Sequence, residues 1–175
     1  MTDPDRCARE GEEFRFRDER GQEWLASWHA PELPAPDGTP HGSAGICFTP
    51  EDNVVLVTWP GTGWNFPAGR PDGDEDWRAT LEREVLEEAC AIVEDATLLG
   101  FARGACLQGA EAGLVLIRSL WCADVSLEPW EPRHETTARM VVPPGEALER
   151  VGFGGDHRPI YEKWFRDALA VKGLD

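Results

Sequence analysis

The segment GRPDGDEDWRATLEREVLEEACA, residues Gly69–Ala91, organises the rest of this chain. Within it, Glu84, Glu87 and Glu88 stand at positions i, i+3 and i+4, so a helix would project them from one face. Like charges at this spacing repel each other, and a divalent cation bound between them would reverse the sign of that interaction. Because carboxylate oxygens suit hard ions, the segment predicts a helix that binds Mg²⁺ or Mn²⁺.

The same helix carries an apolar stripe. Its members, which recur near the helical period, are Leu81, Val85, Ala89 and Ile92. The stripe is typical of a helix that packs against a sheet. Since successive residues turn by about 100°, the carboxylates centre roughly a quarter-turn from the stripe. We therefore expect the acids to line the seam between helix and sheet, partly sheltered from water.

The spacing of this segment resembles the Nudix box, the loop–helix–loop signature of the Nudix hydrolases. The matching positions are Gly69, Glu75, Arg83, Glu84, the aliphatic Val85, Glu87 and Glu88. The preceding Trp64–Ala68 (WNFPA) is similar to the aromatic-Pro-Gly lead-in of that family, with Ala68 where a second Gly is frequent. The chain departs from the pattern at Cys90 and Ala91, which replace a terminal Gly and a bulky aliphatic residue. Because that Gly normally takes a left-handed conformation, which costs Cys about 1 kcal/mol, we expect the helix to run on or kink there.

The resemblance implies roles for the residues of the box. Glu84, Glu87 and Glu88 would hold the metal and act in catalysis, with the carbonyl of Gly69 as a further ligand. Glu75 and Arg83 would pair in a structural role, with the guanidinium orienting a carboxylate.

Outside the acids of the helix, the resemblance implies further candidates. The general base is left open among Glu87, Glu88 and a glutamate of a later loop, for which Glu135 is the candidate by position. Trp64, Arg70 and Arg103 are candidates for substrate binding. His134 is interpreted as an exposed loop histidine.

Composition limits the partners. The 175 residues include 33 acidic and 17 basic ones, for a formal charge of -16. Such a field repels polymeric nucleic acid and anionic membranes, whereas a small anionic nucleotide derivative can still bind beside a metal ion. The N-terminus lacks the apolar core of a secretory signal, and the five cysteines are odd in number without a CxxC pair. We therefore expect reduced thiols, a cytoplasmic location and no zinc site.

Patterning along the chain predicts the remaining elements. A β-hairpin is predicted within residues 14–28, and a proline-rich linker at 31–42. Strands are predicted at 43–48, 54–59, 96–102, 114–124 and 136–142, helices from 143 and at 158–171, a hairpin loop at 104–113 and a glycine-rich break at 152–155. Strands alternating with helices favour an α/β fold, here a Nudix-like α/β/α sandwich with a mixed central sheet.

The same pattern divides the chain into an N-terminal extension, residues 1–40, and a Nudix hydrolase domain, residues 41–175. The extension either caps the sheet edge or serves a homodimer, and the sequence does not decide between them.

The resemblance favours metal-dependent hydrolysis of a diphosphate bond in a nucleoside diphosphate linked to another moiety, X. A nucleoside triphosphate, a nucleotide sugar and ADP-ribose are all candidate substrates. The alternative is a non-catalytic Nudix-like sensor that binds a nucleotide. An isomerase on the same fold would need a catalytic thiol, for which Cys47 and Cys106 are open candidates.

Overall fold

The structure is a computed structural model that describes residues 6–152 and 156–174. In these residues the strands are β1 (Glu13–Arg17), β2 (Glu23–His29), β3 (Thr39–Phe48), β4 (Val54–Thr58), β5 (Trp64–Asn65), β6 (Ala68–Gly69), β7 (Ala91–Gln108), β8 (Val115–Leu127) and β9 (Ala138–Val142). The helices are α1 (Trp77–Ala89), α2 (Pro144–Arg150) and α3 (Arg158–Lys172). The predicted α/β class is confirmed.

The chain forms two compact units, and the first draws its described residues from 6–41, 99–120 and 156–174. In this unit β1 pairs antiparallel with β2, as the alternating aromatic residues of the hairpin predict. Strand β2 pairs in turn with β7, and β7 with β8. Helix α3 buries Ile160, Trp164 and Phe165.

The second unit comprises residues 42–98 and 121–152 and carries the box. Its strand order is β7-β8-β3-β4-β5, with β6 added to β3 and β9 to β4. Helix α1 packs against β4 and β6. The core beneath it joins Leu81, Val85 and Ala89 of the helix to buried residues of the strands, among them Cys47, Val55, Val57, Trp121, Ala123 and Val125. Full burial of β4 up to Val57 agrees with its continuous apolar run.

Residues of the box define both ends of α1. The Asp76 carboxylate accepts a hydrogen bond from the Ala79 N–H at 2.7 Å and so caps the N-terminus. At the other end, Cys90 takes the left-handed conformation, with φ 48° and ψ 50°. The expectation that the helix runs on or kinks was wrong, because Cys90 adopts the conformation that Gly would otherwise supply.

Several element boundaries differ from the sequence prediction. Ile92 does not extend the helical stripe, since it lies in β7 and is 42% exposed. Strand β7 continues to Gln108, so the hairpin loop is shorter than 104–113, and β3 begins at Thr39 inside the predicted linker. For β3 and β7, pairing with neighbouring strands extends the strand across small or turn-forming residues, which local propensity disfavours. The predicted break at 152–155 falls almost entirely outside the described residues.

No helix within the described ranges has the length and apolar character that a membrane span requires.

The cap of α1 supplies the first testable prediction. Replacement Asp76→Ala should lower the free energy of unfolding by about 0.5–2 kcal/mol, because one helix N–H loses its acceptor. Asp76→Asn should be nearly neutral, since the amide oxygen still accepts. Urea denaturation measures both, and Asp74→Ala, an exposed acid of the same loop, is the control. If the Asp76→Ala protein is as stable as the wild type, the cap contributes nothing to the free energy of unfolding.

Candidate active site

The carboxylates of α1 lie where the helix meets β6. A Cβ atom on Gly69 would overlap the Glu84 carboxylate, so the glycine makes room for that side chain. A Cβ atom on Gly42, whose φ is 155°, would likewise collide with the Gly69 carbonyl oxygen. Because Gly42 and Gly69 have no side chains, their backbones can pack closely and Glu84 fits beside Gly69.

Glu88 is the most enclosed of the three acids, with 8% of the residue exposed. Its Oε2 accepts a hydrogen bond from the Ala68 N–H at 3.1 Å, and its carboxylate lies within hydrogen-bonding reach of the Glu84 carboxylate. The Thr136 hydroxyl donates to the Glu88 backbone carbonyl at 2.7 Å. Glu88 is thus held by β6 on one side and by the segment before β9 on the other.

Arg83 connects the acids of the box. Its Nε donates to Glu75 Oε1 at 2.7 Å, and its Nη1 donates to Glu84 Oε1 at 2.9 Å and to Glu87 Oε2 at 3.1 Å. Its Nη2 donates to the Arg70 carbonyl at 2.7 Å and to Glu75 Oε2 at 3.1 Å. One guanidinium therefore ties the loop before the helix to two of the three candidate metal ligands.

The electrostatics follow from these contacts. Hydrogen bonds from Arg83 and from the Asp72 N–H lower the pKa of Glu75 to about 2. Burial raises the pKa of Glu84, and the adjacent Arg83 charge opposes that rise. The carboxylates in turn raise the pKa of Arg83. Glu75 is therefore ionised at neutral pH, whereas Glu84 lies in a site that disfavours an uncompensated charge.

The donor set fits a hard divalent cation. Glu84 and Glu88 are close enough to share a hydrogen bond, and two carboxylates at that distance need a proton or a cation between them. With the Gly69 carbonyl beside them, every donor is an oxygen, as Mg²⁺ and Mn²⁺ prefer. In the described part of the chain, however, no three His, Cys, Asp or Glu side chains are already arranged around one point. Glu87 instead faces Arg83, which would have to release it for a third carboxylate ligand to form.

An open depression of about 600 Å³ adjoins the outer face of α1. Its lining residues are Leu86, Glu87, Cys90, Glu128, Pro129, Glu131, Arg133 and His134. Most of them belong to residues 128–137, the loop between β8 and β9, which we call the β8–β9 loop. Glu135, the candidate base, is exposed in this loop, one residue before the anchored Thr136. His134 is also exposed, as the sequence predicts.

The candidate substrate-binding residues are placed in different parts of the chain. Trp64 is half-buried in β5 opposite Thr58, and Arg70 is exposed directly after β6. Arg103 lies in the first unit, on β7 opposite Ser27. Trp64 and Arg70 share the second unit with the acids, and substrate binding by all three residues stays a prediction.

Sequence reasoning missed Arg139. Its Nη1 donates to the carbonyls of Ala89, Cys90 and Glu128 at 2.9, 3.1 and 3.0 Å. The available signal was an arginine in the apolar strand ARMVV, whose charge needs partners within the fold. Those partners are backbone carbonyls, which no residue pattern identifies.

The thiols offer little support for an isomerase. Cys47 is fully buried, and burial raises its pKa strongly. Cys106 is also buried, and burial raises its pKa as well. Because the thiolate is the reactive form, these surroundings disfavour a catalytic cysteine at either position. All five cysteines are free, as expected for reduced thiols.

The Glu75–Arg83 pair leads to a prediction on pH. The folded-state pKa of Glu75, about 2, lies below its ordinary value of 4.5, so the carboxylate stabilises the fold above that value and loses its effect as the pH falls toward 2. Glu75→Gln should therefore be less stable than the wild type at pH 7, and the difference should shrink between pH 5 and pH 3. Urea denaturation across this range measures it, with the exposed Glu82→Gln as control. A difference that stays constant with pH would contradict the assigned pKa.

The comparisons with known proteins agree with this geometry. The family model described as NUDIX domain matches residues 39–164, which is more than half of the chain. In a comparison with curated protein sequences, none matched this chain.

Solved structures show the same fold. The chain is similar to the pyrophosphohydrolase BsRppH of Bacillus subtilis, with a TM-score of 0.67 and 22% identity over 91% of this chain and 98% of that one. It is also similar to a NUDIX hydrolase from Nitrosomonas europaea (TM-score 0.57, 20% identity, 75% and 90% covered). An ADP compounds hydrolase matches with a TM-score of 0.55 and 17% identity, over 97% of this chain and 98% of its own. Together with the box and the α/β fold, the family model shows that the chain belongs to the Nudix family.

Proposed function

We propose that the protein is a divalent-metal-dependent hydrolase that cleaves the diphosphate bond of a nucleoside diphosphate linked to X. The observation that supports this most directly is the pair of enclosed carboxylates, Glu84 and Glu88, in contact beside Gly69. Acids that served only solubility would be exposed to water. One of them would not be buried while a second lies against the backbone of a glycine.

Gly69, Glu84 and Glu88 would hold Mg²⁺ or Mn²⁺, with Glu87 as a further ligand once it leaves Arg83. A bound ion of this kind neutralises phosphoryl oxygens and makes water more acidic. The chain's own part is to keep the oxygens in place: Ala68 orients Glu88, and Arg83 orients Glu84. Arg83 and Glu75 are therefore proposed as structural members of the site.

Glu135 is proposed as the general base. Its neighbour Thr136 is buried and hydrogen-bonded to the Glu88 backbone, so the chain at Glu135 is anchored close to the metal-binding helix. An exposed carboxylate at this point can accept a proton from an attacking water. Glu87 and Glu88 remain the other candidates for this role.

The similar solved structures include a pyrophosphohydrolase, an ADP compounds hydrolase and a MutT protein. We propose a small substrate that contains a diphosphate bond: a nucleoside triphosphate, a nucleotide sugar or ADP-ribose. Trp64 would stack on a base, whereas Arg70 and Arg103 would contact phosphates. The formal charge of -16 favours such small molecules over polymeric nucleic acid or an anionic membrane. A cytoplasmic location is part of the same proposal, and a homodimer is one of the two roles proposed for the extension, the other being to cap the sheet edge.

The decisive experiment is hydrolysis of a substrate panel with Mg²⁺ or Mn²⁺, measured as released phosphate after coupling. At least one of the three substrate types should be cleaved, and Glu88→Gln should lower kcat/KM by at least about a hundredfold, because a ligand of the ion is lost. Glu82→Gln, on the exposed face of the same helix, is the matched control and should retain activity. Tight nucleotide binding without turnover by the wild type would instead favour the sensor.

Gly69 provides an independent test that leaves every charge in place. Gly69→Ala should weaken Mn²⁺ binding by about 10–100-fold, because the new methyl group displaces the Glu84 carboxylate. Calorimetric titration of the metal measures this without a substrate. Gly145→Ala is the control, since a methyl group there meets nothing within 4 Å. Unchanged metal affinity in Gly69→Ala would remove Glu84 and Gly69 from the proposed ligand set.

A further inference from the structure

Hydrogen bonds at three points of the β8–β9 loop connect it to residues at the C-terminal end of α1. The Glu128 N–H donates to the Cys90 carbonyl at 2.8 Å, where the loop begins. The Cys90 thiol donates to the Glu131 carbonyl at 3.4 Å, in the middle of the loop. The Thr136 hydroxyl donates to the Glu88 carbonyl, where the loop ends. The loop is therefore held at its start, middle and end by residues 88–90.

Arg139 strengthens this junction from β9. Its Nη1 lies among the carbonyls of Ala89, Cys90 and Glu128, and its guanidinium lies 5.6 Å from the ring centroid of Trp130. The last carbonyls of a helix lack partners within the helix and form the negative end of its dipole. A guanidinium there satisfies two of them and at the same time binds the loop, so Arg139 joins the two elements.

Cys90 stands where backbone conformation favours glycine. Its φ of 48° lies in the left-handed region, which strains a residue that has a Cβ atom. Glycine would remove that strain, but it has no side chain to reach Glu131. The side chain of Cys90 is also mostly enclosed, at 8% exposure, and contributes to the lining of the depression. A cysteine at this position therefore lowers stability through backbone strain, whereas its thiol hydrogen bond holds the loop in position.

We infer that Cys90 and Arg139 are positioning residues, which hold the β8–β9 loop and its Glu135 against the metal-binding helix during hydrolysis. Neither side chain is assigned to substrate or metal. This inference rests on the proposed function in one respect, namely that Glu135 serves the reaction. The fastening of the loop itself can be measured without any substrate.

Three replacements of Cys90 separate positioning from mere structure. Cys90→Ser keeps a donor, Cys90→Ala loses it without changing the backbone strain, and Cys90→Gly loses it while relieving the strain. We expect kcat to fall by about two- to fivefold in the Ala and Gly variants, as for a weak hydrogen bond, and to be restored in Ser. KM should change less, because the loop is proposed to carry the base. The thermal midpoint should instead rise by about 2–4 °C in Gly alone.

Arg139 is tested in the same way. Arg139→Met keeps much of the apolar stem but removes all three hydrogen bonds, and kcat should fall by about 10–100-fold. Arg139→Lys should recover part of that loss, because one ammonium group can bond to some of the carbonyls. Arg78→Met, an exposed arginine of α1 paired with Glu82, is the matched control and should leave kcat unchanged.

Hydrogen exchange followed by mass spectrometry reports on the loop directly. Amides of residues 128–137 should exchange faster in Cys90→Ala, Cys90→Gly and Arg139→Met than in the wild type. Cys106→Ala is the control and should leave the exchange of these amides unchanged. The Cys106 thiol also donates to a carbonyl, that of Gln108 at 3.5 Å, but both residues are distant from the β8–β9 loop in the sequence.

The outcomes are distinguishable. If kcat follows the thermal midpoint, so that Cys90→Gly equals or exceeds the wild type, Cys90 is only a helix cap and the inference is wrong. Unchanged exchange in both Cys90→Ala and Arg139→Met would also overturn it. If the wild type cleaves no substrate, the proposed function fails, whereas the exchange data still decide whether these residues fasten the loop.

Discussion

The structure of the box depends on one guanidinium. Three glutamates on adjacent turns of α1 repel each other, and they do so in a chain with a formal charge of -16. Arg83 offsets this repulsion by bonding Glu84 and Glu87 directly, and it bonds Glu75 and the Arg70 carbonyl at the same time. Because these contacts are charge-assisted and partly sheltered, they are stronger than ordinary surface pairs. The same contacts connect the loop that precedes α1 to the helix.

That arrangement has a consequence for metal binding. Arg83 bonds to Glu84 and Glu87, so a divalent cation bound there would compete with the guanidinium for those two carboxylates. Glu88 differs, because it bonds to the Ala68 N–H and is oriented independently of Arg83. Of the three acids of the helix, Glu88 is therefore the one oriented by the strand backbone, and it is also the most enclosed.

Close backbone approach is the second requirement of the site. Gly69 lies against Glu84, and a Cβ atom on Gly45 would come within 2.8 Å of the Leu81 side chain. Helix α1 can therefore pack near enough to β3 and β6 for its acids to reach the strand backbone. Apolar packing of Leu81, Val85 and Ala89 fixes the rotation of the helix, and the acids consequently face the seam. Core packing and the chemistry of the site are thus set by two neighbouring faces of one helix.

A large part of this could be predicted from the sequence. The spacing of Glu84, Glu87 and Glu88 determined one helical face, and the stripe of Leu81, Val85 and Ala89 determined which side is buried, because both depend only on the helical period. The Asp76 cap lies in a loop with Asp72 and Asp74 directly before α1, and a cap there is predictable because capping is a local interaction. The α/β class followed from the order of elements.

Only the tertiary structure decided the rest. The lengths of β3 and β7 depend on partner strands distant in the sequence, and the sequence interpretation placed both boundaries incorrectly. The contacts of the Cys90 thiol and of Arg139 depend on backbone carbonyls of other segments, which carry no residue-specific signal. Local periodicity therefore determined which side chains share a face of α1. The three-dimensional fold alone determined which backbone atoms those side chains meet, because such contacts join residues far apart in the chain.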